Sequence, residues 1–148
     1  METGKEPAYQ ENTDYVDKLM AALDHPDSTV RLNAAHILGE KRAVRAVSRL
    51  IEAYRGNEND PYILKEIVWA LGEIGEPASL ALISAASQRS FLLVRVEAIR
   101  AIAKIGGPQT RLALEEATAD PNSAVREEAL LALEVSGKAG KSRSMKKC

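Results

Sequence analysis

The sequence predicts an all-α solenoid, a right-handed superhelix of four helix pairs stacked in one row. One segment recurs at a nearly fixed period: it begins at Val30, Ile63, Val94 and Val125, so the steps are 33, 31 and 31. A period of this length is typical of solenoids, in which each unit buries its apolar face only against its neighbours. The composition agrees, because 45% of the residues are hydrophobic but only 4% are aromatic, which suits closely packed helices.

The first helix pair follows a short polar lead-in. Apolar residues fall at helical spacing from Asp14 onwards, which predicts a first helix and leaves residues 1–13 as a flexible N-terminal segment. In the turn that follows, Asp27 or Ser28 can cap the second helix by accepting a hydrogen bond from a free backbone N–H. The second helix is expected to run to about Lys41.

The second pair has the clearest start and stop signals. A third helix is predicted over residues 43–54 and is followed by a polar turn. Asp60 is a good N-cap, and Pro61 suits the first helical position, where its missing N–H breaks no bond. The fourth helix should therefore begin at Pro61 and end at Gly75.

Prolines and serines punctuate the second half of the chain. Pro77 and Pro108, which lie one repeat apart, open the fifth and seventh helices. Ser90 is suited to cap the sixth helix, and a turn over residues 120–123 precedes the eighth. The prolines all fall outside the proposed helix interiors, where each would cost about 3 kcal/mol.

Three glycines mark the expected ends of the fourth, sixth and eighth helices. Gly75, Gly106 and Gly137 recur once per repeat, each where a helix needs a residue in a left-handed conformation. The eighth helix is thus predicted to end near Val135.

These elements divide the chain into a repeat domain over residues 14–137 and a basic tail over residues 138–148. The tail carries five basic residues and no acid, so we predict that it is disordered, because nothing offsets the entropy of ordering it. Removing those five from 20 basic residues leaves 15 against 21 acidic ones. The four repeats are expected near 14–41, 43–75, 77–106 and 108–137.

Composition also narrows the class of protein. An acidic body argues against general nucleic-acid binding. The sequence has no apolar run near the roughly 20 residues that a membrane span needs, and its polar start is unlike a signal peptide. A single cysteine, Cys148, fits a reducing compartment. We therefore expect a cytoplasmic protein without a membrane partner.

The repeated unit is an apolar helix, a turn rich in Asp and Pro, and a second helix that reads Val-Arg-x-x-Ala-x-x-Ala-Leu-Gly. It resembles the HEAT repeat, in the short form named after the phycobilisome lyases, over about residues 14–137. The resemblance implies that the second helices line a concave binding face. It also implies that the arginine after the valine, here Arg31, Arg95 and Arg126, bonds between repeats. Leu64 takes that position in the second repeat, so a looser joint is expected there.

No catalytic constellation emerges from the sequence. HEAT-like hydroxylases hold iron through His-Glu pairs, but His25 lies in a turn, His36 lies on a helix, and neither is followed by Glu. The serines mostly occupy turns, and a His-paired nucleophile has no support. We expect no enzyme activity, no metal and no cofactor.

Helical register places a stripe of polar and apolar residues on the expected concave face. We interpret this stripe as the partner-binding surface. It consists of Asn33, His36, Glu40, Glu66, Trp69, Glu73, Glu97, Arg100, Lys104, Glu128 and Leu131, with Val135 at its end.

Trp69 is the only tryptophan and is the predicted anchor of this stripe. Its column holds His36, Arg100 and Leu131 in the other repeats, so we expect it to be exposed and Trp69→Ala to change stability by less than about 1 kcal/mol. The alternative is that the indole packs between repeats. An exposed indole flanked by glutamates would suit a partner with an apolar centre and a basic rim, such as a helix or peptide.

Three functions remain open from the sequence. The leading hypothesis is a non-catalytic scaffold or adaptor that binds another protein on its concave surface. The alternative is a bilin-lyase-like chromophore chaperone or a regulatory subunit of an enzyme. Nucleic-acid binding, through the tail and an arginine stripe at Arg42, Arg45 and Arg49, is the least favoured.

Overall fold

The computed structural model describes the backbone of residues 8–146 and the side chains of residues 14–137, and within those bounds it contains helices and turns but no strand. The predicted all-α solenoid is confirmed. Its helices are α1 (Ala8–Ala22), α2 (Ser28–Glu40), α3 (Val47–Gly56), α4 (Pro61–Ile74), α5 (Leu80–Arg89), α6 (Leu92–Ile105), α7 (Thr110–Ala117) and α8 (Ser123–Lys146). Single 3-10 turns, Val44–Ala46 and Pro77–Ser79, lead into α3 and α5.

The second helices of the four pairs form one closely packed row. Helix α2 packs against α4, α4 against α6, and α6 against α8, while each first helix packs mainly on the second helix of its own pair. Small residues permit the close approach: a Cβ atom on Gly72 would lie 2.8 Å from the Cβ atom of Ala101. Because the second helices are spaced more tightly than the first helices, they form the inner, concave side of the stack.

The core is one continuous cluster that runs from α1 to α8. Its buried members are alanine, leucine, isoleucine and valine, and among the described side chains the aromatic ones reach it only as partly buried neighbours. Equivalent positions on successive second helices, Ala35, Val68 and Ile99, are fully buried. Stability therefore comes from the interfaces between repeats as much as from each helix pair.

Most of the predicted start and stop signals operate as expected. The Asp27 carboxylate accepts a hydrogen bond from the Thr29 N–H at 2.8 Å. Asp60 accepts from two N–H groups of the first turn of α4. Gly75 and Gly106 end their helices with φ of 79° and 68°. These positions are confirmed.

The predicted cap at Ser90 is wrong. Helix α6 begins at Leu92, and the flanking residue is Phe91, which offers no side-chain hydrogen bond. The Ser90 backbone is extended, and its carbonyl accepts a hydrogen bond from Arg95 Nη1 at 2.9 Å. The residue at the capping position is therefore Phe91, one residue after Ser90, and Ser90 instead belongs to the preceding turn that Arg95 holds.

Helix α1 begins at Ala8, earlier than the start predicted at Asp14, whereas the flexibility of residues 1–13 stays a prediction. No glycine or proline interrupts the chain between Pro7 and Asp14, and adding turns to an existing helix costs little. Residues 1–7, the rest of the predicted flexible segment, lie outside the described residues.

Helix α8 continues through Gly137 to Lys146, so its predicted end near Val135 is wrong, whereas the disorder of the tail over residues 138–148 stays a prediction. Gly75 and Gly106 are each followed by a proline two residues on, which forces the chain out of the helix. After Gly137 the sequence offers no proline and is rich in good helix formers. Residues 147–148 lie outside the described residues.

Candidate functional site

The predicted stripe forms an open groove of about 540 Å³ on the inner row of helices, which we call the concave groove. The stripe residues that do not line it are Asn33, Glu40, Glu73, Leu131 and the terminal Val135. Lys65, which the sequence analysis missed, does. The groove is lined by His36, Lys65, Glu66, Trp69, Glu97, Arg100, Lys104 and Glu128.

Charged pairs cross the groove from one repeat to the next. His36 Nδ1 lies 2.5 Å from Glu66 Oε1. Arg100 Nε donates to Glu128, and Lys104 Nζ donates to Glu73. Each pair joins consecutive second helices, so we call these three contacts the inter-repeat rungs.

The sequence analysis missed these rungs because it treated the stripe as free surface. In each rung the two partners are separated along the chain by about the length of one repeat. Opposite charges at that spacing on the same face were the signal that would have revealed them.

His36 is held between two carboxylates. Its Nδ1 faces Glu66, and its Nε2 lies 2.8 Å from Glu40 Oε1. The hydrogen bond to Glu66 is the main cause that raises the pKa of His36 above 6.5, against a smaller opposing effect of burial, and Glu40 adds to the rise. The imidazolium form, in which both ring nitrogens donate, fits this arrangement best.

Trp69 is half-buried rather than freely exposed, so the expected open indole is only partly correct. Its ring stacks on His36 with centroids 4.7 Å apart and an interplanar angle of 9°. It also packs over Gly39, and Lys104 Nζ lies 6.0 Å from the ring centroid. One part of the indole therefore stabilises the joint between the first two repeats, while the remainder faces the concave groove.

Glu97 is the most enclosed charged residue of the groove, with 6% of its surface exposed. Across the described side chains, its closest cation is Arg100, whose Nη1 lies 3.9 Å from Glu97 Oε2, and it accepts no hydrogen bond. Burial raises the pKa of Glu97, and the nearby charges of Arg100 and Lys65 only partly oppose that effect. This carboxylate is therefore partly desolvated and has no close partner.

The arginines that follow the repeated valine lie at the turn end of the stack, away from the concave groove. Arg31 Nε donates to Asn57 Oδ1 at 3.2 Å, and Arg95 makes two bonds to Asp120 at 3.0 and 3.2 Å, so both reach the next repeat. Arg126 instead donates to backbone carbonyls of the turn in its own repeat. The implied bond between repeats is therefore present for Arg31 and Arg95.

At the joint between repeats two and three, Leu64 replaces the arginine and lines a cavity of about 580 Å³ together with Tyr54, Leu82 and Phe91. Arg89 also lines it, in the region where the next joint has Asp120. No bond equivalent to Arg95–Asp120 forms there among the described residues. The looser joint expected at Leu64 stays a prediction.

Two arginines of the stripe considered for nucleic acid are engaged with acidic side chains. Arg45 pairs with Asp17 at 2.6 Å, and Arg49 pairs with Asp24 and Glu52 at 2.6 and 2.7 Å. These contacts neutralise the positive charge on that face, so they give no support to a phosphate-binding surface.

The described side chains bring together no group of three His, Cys, Asp or Glu that could hold a metal ion. His25 Nδ1 accepts a hydrogen bond from the Asp27 N–H, which makes it part of a turn. Among all the residues that the structure describes, no helix is both long and apolar enough to cross a membrane.

The stacked pairs and their inner row of helices define this chain as a helical-repeat protein. A family model for HEAT repeats matches residues 16–90 and 80–146, and the chain belongs to the HEAT-repeat family. No curated protein matches the sequence.

Proposed function

We propose that this chain is a non-catalytic scaffold that binds another protein on its concave surface. The concave groove carries the proposal, because its lining combines part of an indole with several charged groups on a rigid row of helices. Interfaces favour this combination, since a central aromatic residue contributes most of the affinity while a charged rim provides specificity. HEAT repeats commonly serve as protein-interaction scaffolds.

The chemistry of the stripe suggests the kind of partner. Glu40 and Glu73 add two carboxylates outside the groove, where Glu40 pairs with His36 and Glu73 pairs with Lys104. A helix or peptide with an apolar centre and a basic rim would complement both features. We place the protein in the cytoplasm, with the partner also a soluble protein.

A pull-down with matched charge variants tests the proposal. Asn33 is exposed on the stripe, and Ser48 is exposed on α3, away from the inner row. The variants Asn33→Arg and Ser48→Arg add the same charge at two exposed polar sites. Wild type and Ser48→Arg should retain the same stoichiometric protein from a native lysate, whereas Asn33→Arg should repel the basic rim and release it.

Two results would contradict the scaffold. Equal retention by both variants would move the binding site off the concave face. A purified wild-type chain that carries pigment or nucleic acid in place of a protein would favour one of the other functional classes.

A further inference from the structure

Three carboxylates occupy equivalent positions on successive second helices, and two of them have a cation supplied by the repeat before. They are Glu66, Glu97 and Glu128, each one repeat after the last. Glu66 pairs with His36 of repeat one, and Glu128 pairs with Arg100 of repeat three. The geometry of a rung is therefore repeated along the stack.

Among the described side chains, the carboxylate at this position in repeat three, Glu97, has no cation from repeat two, and the joint between these repeats is bridged instead by Lys104 and Glu73. By register, the counterpart of Glu97 is Trp69, which takes in repeat two the position of His36 in repeat one and of Arg100 in repeat three. An indole cannot form an ion pair. Glu97 is thus left with the loose contact to Arg100 at 3.9 Å, although Arg100 already donates to Glu128.

This unpaired position lies within the concave groove, which both Trp69 and Glu97 line. We propose that the groove binds a cationic side chain, a lysine or arginine of a protein partner, between the indole of Trp69 and the carboxylate of Glu97. The inference rests on the proposed scaffold function and goes beyond it by naming the chemical group that is recognised and the two residues that recognise it.

Both sides of this site favour a cation for a physical reason. A largely buried carboxylate with no hydrogen bond gains more from an incoming ammonium or guanidinium group than an exposed one does, because burial has already removed part of its hydration. The face of an indole attracts the same group through its quadrupole. Two cations border the site but are engaged elsewhere: Lys104 Nζ lies 6.0 Å from the indole centroid and donates to Glu73, and Arg100, 3.9 Å from Glu97, donates to Glu128.

A direct titration tests the site without the natural partner. The probes are Nα-acetyl-lysine amide and Nα-acetyl-arginine amide, and the control is Nα-acetyl-norleucine amide, which has an alkyl chain but no charge. The readouts are the single indole N–H resonance of Trp69 and the carboxyl ¹³C resonance of Glu97. We expect saturable shifts with the cationic probes, which weaken with added salt, and none with norleucine.

Three variants show which groups are responsible. Glu97→Gln should weaken probe binding by about tenfold or more, since a charged hydrogen bond is lost. Glu115→Gln makes the same change at an exposed position on α7, outside the stripe, and should leave binding unchanged. Trp69→Arg supplies the missing cation from within, so it should abolish probe binding while the chain stays folded by circular dichroism.

The outcomes separate this inference from the scaffold proposal. Equal shifts with norleucine, or unchanged binding in Glu97→Gln, would overturn the cation site. If that happens while Asn33→Arg still releases the partner in the pull-down, the scaffold stands without it. If instead the probes bind through Glu97 but the captured protein ignores concave variants, the cation site stands and the scaffold falls.

Discussion

Gly39 and Trp69 meet so closely across the first joint that a Cβ atom on Gly39 would lie 2.6 Å from Cζ3 of Trp69. The same atom would lie 2.8 Å from Cα of Ala70, which is backbone and cannot rotate away. The position therefore admits only glycine at the present separation of α2 and α4.

Gly39→Ala should destabilise the fold by about 1–3 kcal/mol, because the two helices must move apart to admit one methyl group. Urea unfolding measures the loss. Gly56→Ala is the control, since a Cβ atom there would have no neighbour within 4 Å. Equal stability of the two variants would mean that the joint is not closely packed.

Trp69→Ala should cost about 1–3 kcal/mol of stability, more than the sequence alone suggested, because the stacked contact with His36 and the packing over Gly39 are both lost. The measurement is urea unfolding followed by circular dichroism. Iodide should quench the wild-type indole only partly. Quenching as complete as that of free tryptophan would contradict the stacked arrangement.

The raised pKa of His36 makes part of the stability depend on pH. A group whose pKa is higher in the folded state contributes fully below its unfolded value, here 6.5, and the contribution disappears as pH rises through the folded value. Stability should therefore fall as pH rises above about 6.5 in wild type but not in His36→Gln. The effect is small, because His36 is partly exposed.

An NMR titration of His36 checks the cause directly. Glu66→Gln should lower the pKa of the imidazole, since Glu66 contributes most to the rise. A pKa that does not respond to this substitution would show that the first rung is not formed in solution.

Asp120 has the opposite pH dependence. Burial raises the pKa of its carboxyl, but the hydrogen bonds from the Asn122 N–H and from Arg95, with the charges of Arg95 and Arg126, outweigh burial and hold it below 3.8. Its contribution is present above the unfolded value and is lost as pH falls through the folded value. As pH falls, the free energy of unfolding should therefore decrease less in Asp120→Asn than in wild type.

At neutral pH, Asp120→Ala should cost about 3 kcal/mol, because it leaves Arg95 without its carboxylate in a largely buried pair. Glu115→Gln, which breaks the exposed pair with Arg111, should change stability by less than about 0.5 kcal/mol. Similar costs for the two variants would contradict the buried character of the joint.

Gly137 and Gly75 offer a matched test of where α8 ends. A Cβ atom at either glycine would have no neighbour within 4 Å, but Gly75 has φ of 79° and Gly137 lies within a helix. Gly137→Ala should therefore stabilise the chain by about 0.5–1 kcal/mol, and Gly75→Ala should destabilise it by about 1 kcal/mol. Thermal unfolding measures both effects. Destabilisation by both substitutions would indicate that α8 ends at Gly137.

The repeat architecture could be predicted from the sequence because its signals are local and recur. The regular spacing of Gly75 and Gly106 and the Asp60–Pro61 start depend only on backbone geometry. The end of α8 was misjudged because Gly137 has the same spacing but lacks the following proline. Trp69 was misjudged because a column of polar residues indicates exposure, whereas the stacking of an indole on His36 depends on tertiary geometry that register does not give.

The inter-repeat rungs lie along the inner face of the stack, and this position has a mechanical consequence. Each rung draws two successive second helices together on the concave side, so the rungs help to set the bend of the whole molecule. A partner that exchanges these contacts for its own would change that bend. By reciprocity, any change in curvature would alter the affinity for the partner, so shape and binding form one coupled equilibrium.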